Sequence, residues 1–296
     1  MKNVTIIGAG TMGNGIAHVF AQFNFKVSIY DLSENSLESA LKTISKNLDR
    51  QIKKEKISKQ EKQSIIENIS TFTDLKESIL DADLVIEAAT EDEKIKINIF
   101  KKLDQECKKN TILATNTSSI SITKIANSTN RPDKIIGMHF MNPVPIMKLV
   151  EVIRGKETSD NTTKLVMNLS KNLHKTPVEV NDAPGFVANR ILMPMINEAV
   201  LTLEQNVSGV QEIDTVMILG MSHPMGPLQL ADFIGLDICL SILEVMHADF
   251  KDKKYAPSKL LKKMVKENNL GVKTGEGFYN YSKGIKDKTV ANFFSK

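Results

Sequence analysis

The chain of 296 residues carries 39 lysines and arginines against 35 aspartates and glutamates, giving a formal net charge of +4, and 41% of its residues are hydrophobic. The basic residues form no dense stripe, which excludes a nucleic-acid partner, and no apolar run suits a bilayer span or a signal core, so we expect a soluble cytoplasmic protein. Its two cysteines, Cys107 and Cys239, lie far apart, which excludes a disulfide framework and a zinc site, and we expect no metal.

The amino-terminal segment has the pattern of a dinucleotide-binding unit. An apolar run at 4–7 leads into Gly-Ala-Gly-Thr-Met-Gly at 8–13, a helical pattern follows, and a β-branched run at 26–30 ends in Asp31. A glycine fingerprint alone is a weak signal, but here the strand, the helix and the spaced acid agree with it.

Each glycine of the turn has its own physical role. Gly8 permits the tight turn, Gly10 lets the backbone approach a pyrophosphate, and Gly13 lets the helix pack closely on its strand. The diphosphate would lie at the positive end of that helix. Asp31 would accept hydrogen bonds from the adenosine ribose and repel a 2′-phosphate, so the pattern predicts NAD rather than NADP.

Strands and helices alternate over the first part of the chain. Runs of strand length fall at 4–7, 27–30, 84–89, 111–114 and 134–140, and helical patterns separate most of them. The alternation predicts an α/β fold with a parallel, doubly wound sheet of the Rossmann type.

Two further features complete this first part. Residues 33–69 contain no proline or glycine and place apolar residues at helical spacing, which predicts a helical hairpin projecting from the sheet. A strand is predicted at 148–153, a helix at 158–172 and a last strand at 177–180.

The pattern of predicted secondary structure changes at the domain boundary. Asn-Asp-Ala-Pro-Gly at 181–185 interrupts the chain, and beyond it the patterns are helical only. We therefore predict a dinucleotide-binding domain at 1–182 and an all-α domain at 183–296. The predicted helices are 186–203 with a kink at Pro194, 209–219, 235–249 and 257–267, and the chain beyond Tyr279 is expected to be loosely held.

Polar residues follow two of the predicted strands at the sheet edge where doubly wound folds bind their ligands. Asn-Thr-Ser-Ser occupies 116–119, and Met-His-Phe-Met-Asn-Pro occupies 138–143. A strand-end histidine alone is more often structural, but this position favours His139 as a general base beside the nicotinamide. The other histidines have no comparable setting.

Glu151 on the next predicted strand is the partner expected for His139. If the two strands form an antiparallel pair, this carboxylate reaches the far ring nitrogen, orients the tautomer and stabilises imidazolium. Ser118 would hydrogen-bond the reacting oxygen, and Asn189 on the first turns of the carboxyl-domain helix would close over it.

Lysines and arginines recur on one face of the predicted insertion. Lys46, Arg50 and Lys53 have helical spacing, with Lys54 beside them. Such runs are usually solvated faces, but beside an active site they suit substrate phosphates, which points to a coenzyme A thioester.

The motifs together resemble one family. These are the glycine turn at 8–13, Asn-Thr-Ser-Ser at 116–119, Gly-Met-His-Phe-Met-Asn-Pro-Val-Pro at 137–145, Lys-Leu-Val-Glu-Val-Ile at 148–153, Pro-Gly-Phe-Val-Ala-Asn-Arg at 184–190, His-Pro-Met-Gly-Pro at 223–227 and Asp-Phe-Ile-Gly-Leu-Asp at 232–237. In this order they resemble the (S)-3-hydroxyacyl-CoA dehydrogenases, nearest to the bacterial 3-hydroxybutyryl-CoA dehydrogenases, over almost the whole chain.

The resemblance implies roles for named residues. It implies NAD-dependent, reversible oxidation of a short (S)-3-hydroxyacyl-CoA to the 3-ketoacyl-CoA, and a homodimer formed through the helical substrate-binding domain. The implied catalytic residues are His139, Glu151, Ser118 and Asn189. The implied cofactor contacts are Asp31, Glu91, Lys96, Asn142 and Lys273, which join Ser118 and the residues of the glycine turn, Gly8, Ala9, Gly10, Thr11, Met12 and Gly13. Lys54 is implied to meet the coenzyme A phosphates, and the expected substrate contacts also include Arg50 and Lys53 of the same basic face, Ser118 and Asn189.

The residues leave two alternatives open. A related enzyme could oxidise a free sugar acid, as gulonate dehydrogenases do, although the basic insertion argues against it. A non-enzymatic dinucleotide-binding protein is the other alternative, because a fold alone does not determine function. The residues do not determine the direction of the reaction or the acyl-chain length.

Overall fold

The computed structural model describes residues 1–286 and 288–294. Contacts along the chain divide it into two compact units, Met1–Ala183 and Pro184–Lys296. The boundary predicted after residue 182 lies one residue from this division. Within the described residues, no helix combines the length and the apolar character needed to cross a membrane.

The first unit is built on strands and helices that alternate. Its strands are β1 Asn3–Ile7, β2 Lys26–Tyr30, β3 Ile69–Phe72, β4 Leu84–Glu87, β5 Ile112–Thr115, β6 Ile135–Phe140, β7 Leu149–Arg154 and β8 Thr176–Asn181. Its helices are α1 Thr11–Gln22, α2 Glu34–Ile52, α3 Lys59–Glu67, α4 Leu75–Ile79, α5 Glu93–Glu106, α6 Ile122–Ala126 and α7 Asp160–Asn172.

All the strands of this unit form one sheet of 8 strands in the order β3-β2-β1-β4-β5-β6-β7-β8. From β3 to β6 every neighbouring pair is parallel, which confirms the predicted Rossmann-type order. β7 then runs antiparallel to β6, and β8 runs parallel to β7. The predicted antiparallel pair is confirmed, and the sheet as a whole is mixed.

The insertion after β2 forms two helices, as predicted, but it differs in two ways. Ile69 begins β3, a strand missed by the sequence analysis because it is short and only partly buried, and it pairs with Val27 of β2. The helices were also expected to project from the sheet, but α2 packs against the core of the unit. The apolar face of α2, with Leu37 and Ile44, packs into the same core as α1 and β1, because its apolar residues recur at helical spacing.

The second unit is mainly helical, which confirms the predicted class. It contains α8 Ala188–Glu204, α9 Val210–Gly220, α10 Pro227–Ile234, α11 Leu236–Phe250, α12 Lys259–Lys266 and a small hairpin of β9 Tyr279–Asn280 with β10 Thr289–Val290. Pro194 lies inside α8, as expected.

Helix α10 was missed by the sequence analysis because tertiary contacts specify it. Asp214 on α9 accepts hydrogen bonds from the backbone N–H groups of Leu228 and Gln229, and so caps α10 from another helix. The residues next to α10 in the sequence give no indication of a cap that comes from α9.

The expectation of a loose tail is wrong for part of the segment. Ala291 is fully buried, Phe294 stacks on Phe278, and the backbone N–H groups of Phe278 and Tyr279 donate to the buried Asp232. Burial raises the pKa of Asp232 to about 7. Residues 287, 295 and 296 of the predicted loose segment lie outside the described residues.

The glycine turn generates a test of stability. A methyl group at Gly13 would lie 1.8 Å from the Gly8 carbonyl oxygen, whereas one at Gly10 would meet nothing within 4 Å. We expect Gly13→Ala to lower the free energy of unfolding by about 2 kcal/mol, the cost of overpacking against backbone, and Gly10→Ala to change it little. Denaturant unfolding followed by circular dichroism measures both. Equal stabilities for the two variants would contradict the assigned contact.

Candidate active site

The glycine turn connects β1 to α1 and is tied to the acid that follows β2. Gly8 adopts φ +102, a left-handed conformation that favours glycine, and its N–H donates to the Tyr30 carbonyl. The Ala9 N–H donates to Asp31 Oδ2 at 2.9 Å, and the Ser33 N–H donates to Oδ1 of the same carboxylate at 3.0 Å. Asp31 is thereby held beside the turn.

A cleft of about 500 Å³ opens beside this turn. Three segments of the first unit surround it: the turn with the start of α1, one face of α2, and the turn that joins β6 to β7. The lining residues are Ala9, Gly10, Thr11, Asn14, Gly15, Asn35, Ser36, Ser39, Ala40, Thr43, Asn47, Asn142, Pro143, Val144 and Pro145. The cleft therefore contains Asn142, one of the predicted cofactor contacts.

The cleft fits a dinucleotide on structural grounds. Gly10 precedes the first turn of α1 and supplies no side-chain cap, so the first N–H groups and the positive end of the helix suit an anion. The space above Gly10 is open. Asp31 follows β2 with hydrogen-bond acceptors for ribose hydroxyls and, among the described residues, no ion pair.

His139 and Glu151 form a pair near the turn end of the β6–β7 ladder. The register places the two residues directly opposite each other, and His139 Nδ1 lies 2.7 Å from Glu151 Oε2. The residues are only 7% and 2% exposed. Because a carboxylate only accepts, ionised Glu151 fixes the hydrogen on Nδ1 and leaves Nε2 as the basic nitrogen of the neutral ring.

Ser118 lies in a loop that is organised by Glu91. Glu91 Oε1 accepts from the Thr117 hydroxyl at 2.6 Å, from the Ser118 N–H at 2.8 Å and from the Ser118 hydroxyl at 3.1 Å, and it also accepts from Ser119. Burial raises the pKa of Glu91, but the charge of Lys96 and these donors outweigh burial and hold the pKa below its ordinary value. Glu91 is thus a stable anion that shapes the 116–119 loop.

Glu87 is a site residue that the sequence analysis missed. It ends β4, is fully buried, and accepts from Lys96 Nζ at 2.7 Å and from the Thr115 hydroxyl at 2.7 Å. Lys96 also lies 3.4 Å from Glu91 and is only 1% exposed. The chain of contacts runs from Glu87 through Lys96 and Glu91 to the loop of Ser118. One signal was available, since an acid at the end of an apolar strand repeats the position of Asp31.

The remaining predicted residues belong to α2, to the segment just after it, or to the second unit. Lys46, Arg50, Lys53 and Lys54 are exposed on α2 and just after it. Asn189 and Lys273 belong to the second unit, where Asn189 is buried in α8 and Lys273 forms an ion pair with Asp237. Their predicted contacts, and that of Lys96 with the cofactor, stay predictions.

The fold and its cleft define a dinucleotide-binding protein of the Rossmann type, and comparison with known proteins identifies the family. Residues 3–183 match the model of the 3-hydroxyacyl-CoA dehydrogenase NAD binding domain, and residues 185–281 match that of the 3-hydroxyacyl-CoA dehydrogenase C-terminal domain. The chain therefore belongs to the 3-hydroxyacyl-CoA dehydrogenase family, and its cofactor is NAD.

Individual relatives are similar over nearly the full length. A probable 3-hydroxybutyryl-CoA dehydrogenase of Bacillus subtilis is 53% identical over 281 residues, covering 95% of this chain and 98% of the relative. The 3-hydroxybutyryl-CoA dehydrogenase of Clostridioides difficile is 51% identical, covering 95% and 99%. The crystal structure of (S)-3-hydroxybutyryl-CoA dehydrogenase PaaH1 from Ralstonia eutropha, 49% identical, matches with a TM-score of 0.91 and covers 95% and 99%.

The buried ion pair leads to a stability prediction. Glu87→Gln keeps the side-chain shape but deprives the Lys96 ammonium of its nearest carboxylate, and we expect the free energy of unfolding to fall by about 1.5 to 3 kcal/mol, because Glu91 at 3.4 Å still compensates part of the charge. Glu106→Gln is the matched control, because it removes the exposed Lys76–Glu106 pair and should cost less than about 1 kcal/mol. Denaturant unfolding by circular dichroism compares them. A loss no larger than the control's would refute the role given to Glu87.

Proposed function

We propose that the protein interconverts 3-hydroxybutyryl-CoA and acetoacetyl-CoA with NAD, and accepts other short (S)-3-hydroxyacyl-CoA substrates. The observation that carries the proposal is the His139–Glu151 pair, buried on neighbouring strands of the sheet that holds the dinucleotide cleft. The names of the similar bacterial proteins and the enzyme from Ralstonia eutropha support this choice of substrate.

The cofactor site is assigned to the glycine turn and the residues around it. The N–H groups at the start of α1 would hold the diphosphate, Asp31 the adenosine ribose, and Asn142 and the Glu91 loop the nicotinamide half. When bound, NAD supplies the hydride acceptor for oxidation and NADH the donor for reduction. The protein supplies orientation and the proton path.

His139 is proposed as the general base of the oxidation. Its Nε2 would take the proton of the 3-hydroxyl group as hydride leaves the same carbon, and would return a proton to the carbonyl oxygen in the reduction. Glu151 holds the ring orientation through Nδ1 and stabilises the imidazolium that forms. Because both groups are buried, this charge interaction is stronger than it would be in water.

Ser118 is proposed to donate a hydrogen bond to the oxygen on C3. The Ser118 hydroxyl donates to Glu91 in the structure, so in this role it would turn its single hydrogen to the oxygen on C3 and stabilise the charge that develops there during ketone reduction. The bond from the Ser118 N–H to Glu91 would keep the backbone in place as the hydroxyl turns. Asn189 is proposed as a second donor to the substrate. Lys46, Arg50, Lys53 and Lys54 are proposed to meet the phosphates of coenzyme A.

We further propose a homodimer formed through the helical second unit. Val216 and Leu219 on α9 and Met221 just after it are 61%, 78% and 62% exposed. A cluster of large exposed apolar side chains on one helix end is typical of an association surface.

The substrate proposal has a direct test. Followed by NADH absorbance, we expect NADH oxidation with acetoacetyl-CoA and no NAD reduction with free sugar acids, because only the thioester carries phosphates for the basic face of α2. NADPH should be a poor donor because of Asp31. Activity with sugar acids alone would favour the gulonate-type alternative, and tight NADH binding without either activity would favour a non-enzymatic protein.

Loss of the general base should be visible in turnover. We expect His139→Gln to lower kcat by about 100- to 10,000-fold, the usual contribution of general acid–base catalysis, with little change in the dissociation constant for NADH. His247→Gln, a change of an exposed histidine on α11, is the matched control and should leave kcat unchanged. Near-normal turnover of the His139 variant would refute the proposal that His139 is the general base.

A further inference from the structure

The turn that joins β6 to β7 is a wall of the NAD cleft and also connects the strands of His139 and Glu151. Asn142, Val144 and the two prolines around Val144 line the cleft. Within the turn, the N–H groups of Ile146 and Met147 both donate to the Pro143 carbonyl, at 2.9 and 3.0 Å. A shift of this turn would therefore change the width of the cleft.

A buried lysine holds this turn from the side of the sheet edge. Lys175, just before β8, is 9% exposed, and its Nζ donates to the carbonyl oxygens of Val144 at 2.5 Å and Met147 at 2.7 Å. The Thr176 N–H next to it donates to the Lys148 carbonyl at 2.8 Å. The segment at 175–176 is thus bonded to the turn at three of its carbonyl groups.

Helix α1 packs against the same turn. Val144 is 2% exposed, and a methyl group at Gly15 would lie 3.0 Å from its Cβ and Cγ2 atoms. Gly15 therefore lets the turn approach α1 closely. The close packing of Val144 on Gly15 and the two bonds from Lys175 leave the turn little freedom to shift.

The charge environment of Lys175 is unusual for a structural lysine. No carboxylate lies within ion-pair distance of its Nζ in the part of the chain that the structure describes, and burial lowers its pKa from the ordinary value. A buried cation without an acidic partner costs free energy and is retained where its donors are needed. The nearby His18 adds no second charge, because burial, with a smaller contribution from Lys175, lowers the pKa of His18 to about 4.

The hydrogen bonds also control which groups the turn presents to the cleft. Val144 lines the cleft, and its carbonyl oxygen accepts from the Lys175 ammonium group, which offsets the negative partial charge of that oxygen. The ammonium group also sets a positive charge next to a wall of the cleft. Both effects favour an anionic ligand in the cleft.

We propose that Lys175 is a positioning residue for NAD: it holds the β6–β7 turn, and with it Asn142, in the conformation that binds the cofactor. Lys175 touches neither cofactor nor reacting atoms in this role. The inference rests on the NAD cleft and not on the identity of the substrate.

The test uses the full-length protein and three variants. Lys175→Met removes the donors at similar size, Lys175→Arg keeps a donor and the charge, and Lys171→Met removes an exposed lysine of α7 as a matched control. The dissociation constant for NADH is measured by fluorescence titration. Hydrogen exchange of the Ile146 and Met147 amides is measured in the protein without nucleotide.

We expect Lys175→Met to weaken NADH binding about tenfold, as loss of hydrogen bonds from a charged donor implies, and to speed exchange of both amides by a similar factor. At saturating NADH, the KM for acetoacetyl-CoA should change less than about twofold, since the α2 face is untouched. Lys171→Met should match the parent protein, and Lys175→Arg should recover part of the affinity.

Other results would overturn the proposal. A Lys175→Met protein that unfolds at lower temperature but binds NADH as tightly as its parent would show a merely structural lysine, as would unchanged amide exchange. If Lys175→Met does not fold, Lys175→Gln, which keeps a donor without charge, is measured in the same way. A parent protein that binds NADH but leaves acetoacetyl-CoA unchanged would refute the proposed substrate and leave this test intact.

Discussion

The antiparallel pairing of β6 with β7 is the constraint on which the candidate site depends. In a sheet that is parallel from β3 to β6, this one reversal brings residues distant along the chain into direct register, and it sets His139 opposite Glu151 with 2.7 Å between Nδ1 and Oε2. Cross-strand neighbours share a face of the sheet, so both side chains meet on the same side. The backbone ladder thus determines the orientation of the imidazole ring before any substrate binds.

Buried charges around this ladder support the loops that carry polar groups. Glu87, at the end of β4, forms a buried ion pair with Lys96. Lys96 also pairs with Glu91, which accepts hydrogen bonds from the 116–119 loop. Lys175 engages two carbonyls of the turn between β6 and β7. Loops at such an edge have few apolar contacts of their own, so hydrogen bonds to buried ions supply the rigidity that a binding site needs.

Features that depend on residues close in the sequence were predicted correctly, and features that depend on contacts between distant residues were missed. The glycine turn, Asp31 and the pattern of α2 were readable because each depends on neighbours along the chain. Strand β3 was missed because pairing with β2 specifies it, and α10 because Asp214 caps it from α9. The buried part of the tail was missed for the same reason, since Ala291 and Phe294 contact Phe278, whose N–H donates to Asp232.

The sequence by itself determined the fold class, the cofactor and the identity of the candidate dyad, because periodicity, glycine spacing and motif order are properties of the chain. Only the tertiary structure showed which buried charged residues hold the loops of the candidate site in place. Glu87 beneath Lys96 and Lys175 behind the turn are ordinary charged residues in the sequence. Their roles arise from burial, which makes each ion depend on the partners that folding places within hydrogen-bond distance.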